Sequence, residues 1–597
     1  MTERVWTDIS RSDWLKPVLT LAIIAVLLFA KPLVRNEVLT LRDHSDYFQP
    51  LRLFTGQELR RGHLPLWNPY NASGEPWLAN PQTGVFYPPA WIFLFVPFAR
   101  AYILFLAFHV ALLGCGTLVL LRRLASPAAA LVGALSLMLC GPSLSLLDVS
   151  NTLATFAWIP LVVWCAIALA PPVVCAGVIA LSFLAGEPFF AALGALMFVI
   201  LRRRNIVDVA LTAFGLSAIQ LLPFVEMLRG SDRAGNVAGE EILRDSLPLS
   251  DWIHVLFGGA SHQQFVPVVY VGVVAAILAI VAIAFAFRTS RVQVLIAVVV
   301  LAAIIAAGST IAPVAYLLTH LPLVLFRYPS RMLPLGALAL AALAAIGYEI
   351  VAQRVRYWWL PIVLAALIIV DLTPRVAPLV ASAPFNPHPT PYDVRLARDS
   401  KLVRLLSGRN FDRRAWIGGY MNLFDRRFDA WTAAPVVSQT YARMYEDALA
   451  HPDRLDAISA GYVLSDRPLH NLRPVARARN VVMYRNFAAL PLAYWRGDDG
   501  VIRPASLLAF TTTAVHVTID APRDGAVVVT QQDASGWRAT IDDVDAPTLR
   551  RGAFRVVRVK QGRHAIAWRY RPTSLIVGAI VTAIALLRFL SAFFVKR

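Results

Sequence analysis

Cysteine is nearly missing from this chain. Its 597 residues contain four, Cys115, Cys140, Cys165 and Cys175, each within a long apolar run. No Cys-x-x-Cys or Cys/His ligand spacing accompanies them, so neither a disulfide frame nor a zinc site is indicated. They read as small packing residues. Charge is scarce too: Asp, Glu, Lys and Arg make up 16% of the residues against 57% hydrophobic, with a mean hydropathy of +0.59. That balance excludes a soluble globular protein. Walker and dinucleotide glycine patterns are absent, as is a Gly-x-Ser-x-Gly elbow, so ATP-driven work and hydrolase chemistry are unsupported. No repeat of fixed period and no low-complexity tract occurs.

What fills the chain instead is apolar sequence. Crossing a hydrocarbon core of roughly 30 Å takes about 20 apolar residues, and about a dozen runs approach that length. The expected fold is therefore a polytopic α-helical membrane protein of about 12 spans. Acids are outnumbered, 37 against 56 Lys and Arg, giving a formal charge of +19. Such an excess can mark nucleic-acid binding, but here the cations sit in short clusters between apolar runs: Arg122-Arg123, Arg202 to Arg204, Arg288 to Arg291, Arg354 to Arg356 and Lys596-Arg597. Short basic loops stay in the cytoplasm, so these clusters set orientation and no nucleic-acid partner is expected.

With Arg4, Arg11 and Lys16 inside, span 1 (about 15–35) exits. Lys31-Pro32 follows the apolar segment Pro17–Ala30 without a small-residue cleavage pattern, so this span reads as uncleaved. Residues 88–98 form a short apolar piece, re-entrant or interfacial. Further spans follow at about 99–121, 124–142, 152–170, 173–186, 188–201, 205–223, 267–287, 292–309, 332–351, 357–372 and 573–594, and every basic cluster then falls inside. The spans at 173–186 and 188–201 are short, as tilted fragments or a hairpin would be.

This topology puts three polar segments outside: the loop from Asn36 to about Pro88, the loop 224–266, and residues 373–572. Residues 1–372 thus form a transmembrane module, and 373–504 a mixed α/β region. Alternation in Ala514–Ile519, Ala526–Val529, Ala553–Val559 and His564–Tyr570, with Arg523-Asp-Gly525, Ser535-Gly536 and Gln561-Gly562 between, predicts a β-sandwich over 505–572. It leads directly into the last span, 573–597.

The first outer loop is too rich for a connector. Asp43 and Asp46 lie just beyond span 1, where a carboxylate can act as general base or hold a divalent cation such as Mg²⁺ or Mn²⁺; solvated loop acids or a helix N-cap are the plainer readings. Trp67, Asn68, Tyr70, Trp77, Asn80, Gln82 and Tyr87 offer stacking faces and paired donors and acceptors, as sugar recognition requires. An interfacial aromatic belt explains the aromatics but not amides bracketed by Pro65, Pro69 and Pro81.

Other outer ends add charge. Asp148 and Asn151 lie between two spans, and Glu187 follows Gly186 where a carboxylate near lipid is costly. Gln220, Glu226, Arg229 and Arg233 follow another span, and Arg327-Tyr-Pro-Ser-Arg331 precedes one more. Two arginines four apart on a face that is otherwise poor in them suit a phosphate, although snorkelling to lipid headgroups is the plainer account. His109, inside a span, reads as a packed helix residue. Acids and arginines gathering on one face fit an enzyme acting on a lipid-linked phosphate donor.

The runs Asp43…Tyr47-Phe-Gln-Pro50, Gly62-His-Leu-Pro-Leu-Trp-Asn-Pro-Tyr70, Gly74-Glu-Pro76, Ala79-Asn-Pro-Gln82 and Phe86-Tyr-Pro88 resemble the first outer loop of the bacterial YfhO-like membrane proteins. Ala157-Trp-Ile-Pro160, Gln220-Leu-Leu-Pro223…Glu226, Phe326-Arg-Tyr-Pro-Ser-Arg331 and Ser535-Gly-Trp537…Gly562…Trp568-Arg-Tyr570 extend the likeness over nearly the whole chain. Gly186-Glu-Pro188 departs from it, standing where a Gly-His sequence is common.

The resemblance implies a GT-C-like fold and a glycosyltransferase that moves a sugar from a polyprenyl-phosphate carrier to an envelope glycan or lipid-linked acceptor. It further implies a bacterial inner membrane, with the active site and the large domain periplasmic. Asp43 matches the family's first-loop acid, seven residues before Pro50, and Asp46 ranks second. Arg327 and Arg331 would hold the carrier phosphate. Trp67, Asn68, Tyr70, Asn80, Gln82, Tyr87, Glu187 and Glu226 would shape the substrate site. The rival readings are a transporter or flippase of lipid-linked glycan, which would need charges along mid-span pathways, and a non-catalytic scaffold for envelope assembly.

Overall fold

The computed structural model describes residues 11–234, 239–259, 261–262, 264–320, 326–387, 404–406, 420–465, 468–478 and 481–594. Arg4 and the terminal Lys596-Arg597 cluster lie outside them. Among the described residues, seven helices are long and apolar enough to cross a membrane, or eight if the bent pair Pro127–Leu139 and Gly141–Asp148 is one span. Shorter apolar helices, Leu15–Leu28, Pro172–Leu184, Pro188–Leu201 and Val273–Ala286, stand at the remaining expected spans. The chain is a multi-pass membrane protein.

Small residues let these helices approach closely in place of hydrophobic drive. A Cβ at Gly347 would stand 1.8 Å from the Leu278 carbonyl oxygen, which fixes helix Leu333–Val355 against Val273–Ala286. Helix Thr573–Phe594 packs along Ile206–Arg229, where Thr582 Oγ1 donates to the Gly215 carbonyl at 2.9 Å. The four cysteines are all free thiols within the bundle, and three of them are buried. On the basic side, Arg202 turns inward and donates to the carbonyls of Cys165 (3.2 Å) and Ala170 (2.8 Å).

Two irregularities shape the outer face. The 50° bend after Leu139 comes where Cys140 leaves helical geometry and Pro142 follows in the first turn of the next helix. Gly141 there donates its N–H to Tyr270 O at 2.8 Å, and a Cβ on it would meet the Val268 carbonyl at 2.6 Å. The bend carries Asp148 to the first outer loop. The second is the hairpin between Pro172–Leu184 and Pro188–Leu201. It turns at Gly186 with φ +105°, a conformation that favours glycine.

The outer loop is folded throughout. Strand Glu37–Leu39 pairs antiparallel with Ser382–Pro384, tying the end of the first helix to the start of the outer region. A π-helical turn, His44–Phe48, feeds helix Gln49–Arg60, which has Pro50 in its first turn. Arg52, itself buried, reaches up from that helix to donate to the Thr83 carbonyl at 2.8 Å. Residues 88–98 hold only a 3₁₀ turn, Pro88–Trp91, and a four-residue helix, Ile92–Phe95.

The C-terminal outer region is rich in β structure. A four-stranded sheet joins Arg404–Leu406, Ala460–Ser465, Val481–Arg485 and Arg473–Ala478, beside helix Gln439–Ala450. Two five-stranded antiparallel sheets follow. One runs in the order Val544–Ala546, Trp537–Ile541, Gly562–Tyr570, Ala514–Ala521, Ser506–Phe510. The other runs Leu549–Arg551, Phe554–Val559, Gly525–Gln532, Ala493–Gly497, Ile502–Pro504. Their strands thus begin at Ala493, upstream of the expected boundary at 505. Inward residues of both sheets, among them Trp495, Val517, Val527, Val557 and Trp568, share one core. Trp67 of the first outer loop belongs to that same core.

Candidate active site

The loop begins its chemistry at Arg42, whose backbone is held at φ +42°, unusual for a residue with a Cβ. The clamp responsible is Asp148, buried at the bend. Its Oδ2 pairs with Arg42 Nε at 2.8 Å, and its Oδ1 accepts the Asp43 N–H at 3.0 Å. Asp43, at the N-cap of the π-helical turn, is thereby fixed by its main chain and faces a cavity of about 210 Å³.

Asn80 and Gln82 line the same cavity. Asn80 caps the 3₁₀ turn Pro81–Thr83, its Oδ1 accepting the Gln82 N–H at 3.0 Å. The Tyr47 hydroxyl, also at the wall, donates to Gln82 Oε1. Burial pushes the Tyr47 phenol well above its ordinary value, so it stays a neutral donor. The Gly186 turn presses against this segment: a Cβ there would stand 2.7 Å from Pro81 O. Asn151 Nδ2 donates to the Gly186 carbonyl at 2.9 Å, holding the turn from behind.

Glu187 and Arg331 meet across the cavity, Oε1 to Nη1 at 3.6 Å. The other Glu187 oxygen caps helix Pro188–Leu201 by accepting the Phe190 N–H at 2.7 Å. Arg331 lies over the rings of Phe189 and Phe265, 4.9 and 5.2 Å from their centroids. Its position follows from Phe326–Arg331: Tyr328 turns at φ +62°, and Pro329 starts a 3₁₀ turn leading into helix Leu333–Val355. Arg327, on the near side of that turn, pairs with Glu241 at 2.7 Å, and Arg233 approaches the same carboxylate at 3.7 Å. Burial opposes ionisation of Glu241, but the Arg327 hydrogen bond and both guanidinium charges hold its carboxyl below the ordinary range. Arg244 donates to the Tyr328 hydroxyl at 2.9 Å.

Five arginines therefore line this cavity, Arg42, Arg233, Arg244, Arg327 and Arg331, with three acids, Asp43, Glu187 and Asp245. The arrangement offers a carboxylate to take a proton and guanidinium groups to hold phosphate oxygens. Among the described residues no three His, Cys, Asp or Glu side chains gather to hold a metal ion such as Mg²⁺ or Mn²⁺.

The remaining expected residues stand elsewhere, each for a physical reason. Asp46 does not line the cavity; its carbonyl accepts the Tyr420 N–H at 2.6 Å, tying the π-helical turn to the outer region. Asn68 is wholly buried, donating to Asn71 Oδ1 and Glu75 Oε1 while accepting the Tyr70 N–H, which makes it a turn organiser. Tyr70 packs on Phe54 and Phe428. Tyr87 lies inside the bundle, its hydroxyl 2.7 Å from His109 Nε2 and accepting from Trp158 Nε1 at 2.9 Å. Trp67 and Glu226 line a different, larger cavity.

Arg42, Tyr47, Arg244 and Asp245 entered no sequence-based site. Arg42 carried one available clue, a cation on the outer side of a span, against the positive-inside bias.

No family model matches the sequence, and no match is found among curated proteins. Among solved structures the chain is similar to a cryo-EM structure of the arabinofuranosyltransferase AftD from mycobacteria, at 12% identity and a TM-score of 0.51. The match covers 82% of this chain and 41% of that one, so this chain spans less than half the length of the protein it matches. At that identity the likeness is one of fold. Two weaker likenesses lie below a TM-score of one half and do not bear on the assignment. One is a mutant of the same mycobacterial protein, at 10% identity and a TM-score of 0.46, covering 94% of this chain and 60% of that one. The other is an oligosaccharyltransferase of Archaeoglobus fulgidus, at 14% and 0.39, covering 75% and 68%.

Proposed function

We propose that this chain is a membrane glycosyltransferase of GT-C type, related to the YfhO-like proteins, with about twelve crossings of a bacterial inner membrane. It moves a sugar from a polyprenyl-phosphate carrier to an envelope glycan or lipid-linked acceptor at the periplasmic face. The observation that carries the reading is that Asp43, Glu187, Arg327 and Arg331, distant in sequence, line one cavity with Asn80 and Gln82.

Asp43 takes the proton of an acceptor hydroxyl as that oxygen attacks the anomeric carbon. The new bond is acceptor oxygen to anomeric carbon. The bond that breaks joins the anomeric carbon to the phosphate oxygen, whose electron pair leaves with the carrier. Arg327 and Arg331 neutralise that leaving phosphate, and a single displacement inverts the anomeric configuration. Asn80 and Gln82, which carry no charge, bind the sugar hydroxyls and so add orientation without competing for the phosphate.

The test compares membranes of a deletion strain, the wild type and Asp43→Asn by mass spectrometry of envelope glycans and polyprenyl-phosphate sugars. One sugar missing from the glycan, with its carrier accumulating in both deletion and mutant, is the expected result. A glycan present in the mutant and lost only in the deletion strain overturns the catalytic reading.

A further inference from the structure

A second cavity, of about 380 Å³, lies where the outer loop, the end of helix Ile206–Arg229 and the two five-stranded sheets meet. Its chemistry differs from that of the first. Glu75, Glu226 and Asp533 line it with a single guanidinium, Arg550, which is already paired with Asp533. Burial pushes the Glu75 carboxyl above its ordinary range, toward the neutral form. The amides of Gln439 and Gln532 and the hydroxyls of Ser438 and Thr440 complete the polar wall, and the rings of Trp67 and Tyr570 back it. A wall of amides and hydroxyls, with acids in excess and its one guanidinium already paired, suits a polyhydroxylated ligand and disfavours a phosphate.

The two cavities are neighbours. Met227 and Val436 line both. A gap of about 10 Å³ between them is bounded by Glu75, Pro76, Asn80, Met227 and Val436. The larger cavity thus adjoins the wall that carries Asn80, which also lines the cavity of Asp43.

We propose that the larger cavity is a saccharide-binding subsite that holds the acceptor glycan, with Met227 and Val436 in the wall it shares with the cavity of Asp43. The assignment rests on the glycosyl transfer proposed above. It explains why Glu226 stands apart from Asn80 and Gln82: the two cavities serve different sugars.

The experiment uses the full-length protein in nanodiscs and two probes from the envelope of the deletion strain, its delipidated polysaccharide and its glycolipid fraction. Binding is measured for the wild type, Asp43→Asn, Glu226→Gln and Thr440→Trp; Thr440 is exposed at the cavity mouth, so a bulkier side chain there is compatible with folding. Wild type and Asp43→Asn are expected to bind at least one probe alike. Thr440→Trp is expected to weaken that binding at least tenfold and Glu226→Gln severalfold, with donor-lipid binding unchanged in both. Binding of the polysaccharide identifies a free glycan, and binding of the glycolipid alone a lipid-linked one; either supports the subsite if Thr440→Trp removes it. Neither probe binding the wild type, or Thr440→Trp binding as tightly as the wild type, overturns it. Failure of glycosyl transfer itself is read separately, from turnover retained by Asp43→Asn.

Discussion

Asp148 grips Asp43 by its backbone: one carboxylate oxygen accepts the Asp43 N–H at 3.0 Å, while the other pairs with Arg42 at 2.8 Å. A buried acid at a helix bend thus sets where the proposed base stands, without touching substrate. Asp148→Ala is expected to lower kcat of sugar transfer on the order of 100-fold with little change in donor KM, since a misplacement near 1 Å costs about that much. Asp148→Asn keeps an oxygen for the N–H and should lose less. Steady-state kinetics on both variants decide it; a wild-type kcat for Asp148→Ala would end the positioning argument.

Trp67 is a structural anchor. It packs edge-on against Trp537 and Tyr570 at 5.2 and 5.0 Å and donates to Gln531 Oε1 at 3.1 Å. Trp67→Ala should cost about 3–5 kcal/mol of stability in the outer region. Denaturant unfolding followed by tryptophan fluorescence measures this, and a loss under about 1 kcal/mol would contradict the anchoring role.

At Gly186 both conformation and space demand glycine. Its φ of +105° disfavours any side chain, and an added Cβ would meet Pro81 O at 2.7 Å. Gly186→Ala should destabilise by about 1–3 kcal/mol and lower transfer by moving Glu187 relative to Arg331. A thermal melt with a parallel transfer assay reads both. Unchanged activity would detach this turn from the site.

The buried Glu75 gives stability a definite pH dependence. Its folded-state carboxyl is raised above the ordinary value by burial, despite hydrogen bonds from Thr432 and Asn68. The folded state therefore holds its proton to higher pH than the unfolded chain does. Its contribution is fully present below the unfolded value and is lost as pH rises through the folded one. Glu75→Gln should flatten the fall in unfolding midpoint on the alkaline side of the carboxylate range. Parallel pH profiles for variant and wild type would refute this.

The arginine clusters and apolar runs made the membrane architecture readable, because lipid admits few backbone solutions. Asp43, Glu187, Arg327 and Arg331 of the smaller cavity were legible as well, since charges near span ends are costly unless used, whereas Arg42, Arg244 and Asp245 were not. What stayed hidden depends on tertiary contact. Asn68 and Trp67 have the chemistry of sugar binding, and only the fold reveals that Asn71, Glu75, Gln531 and Trp537 consume it. Asp148 was visible as an outer acid, but its hold on Arg42 and Asp43 depends on the bend after Leu139.

The lodging of Trp67 in the core of the C-terminal sheets orders events in time. The ring leaves the ribosome early, yet its partner Gln531 lies 464 residues later. At roughly 5–20 residues per second, synthesis leaves the loop without that partner for about half a minute to a minute and a half. The nascent bundle therefore sits in the membrane with its first loop unfastened, and the final sheets act as a latch that closes only once the C-terminal region has folded.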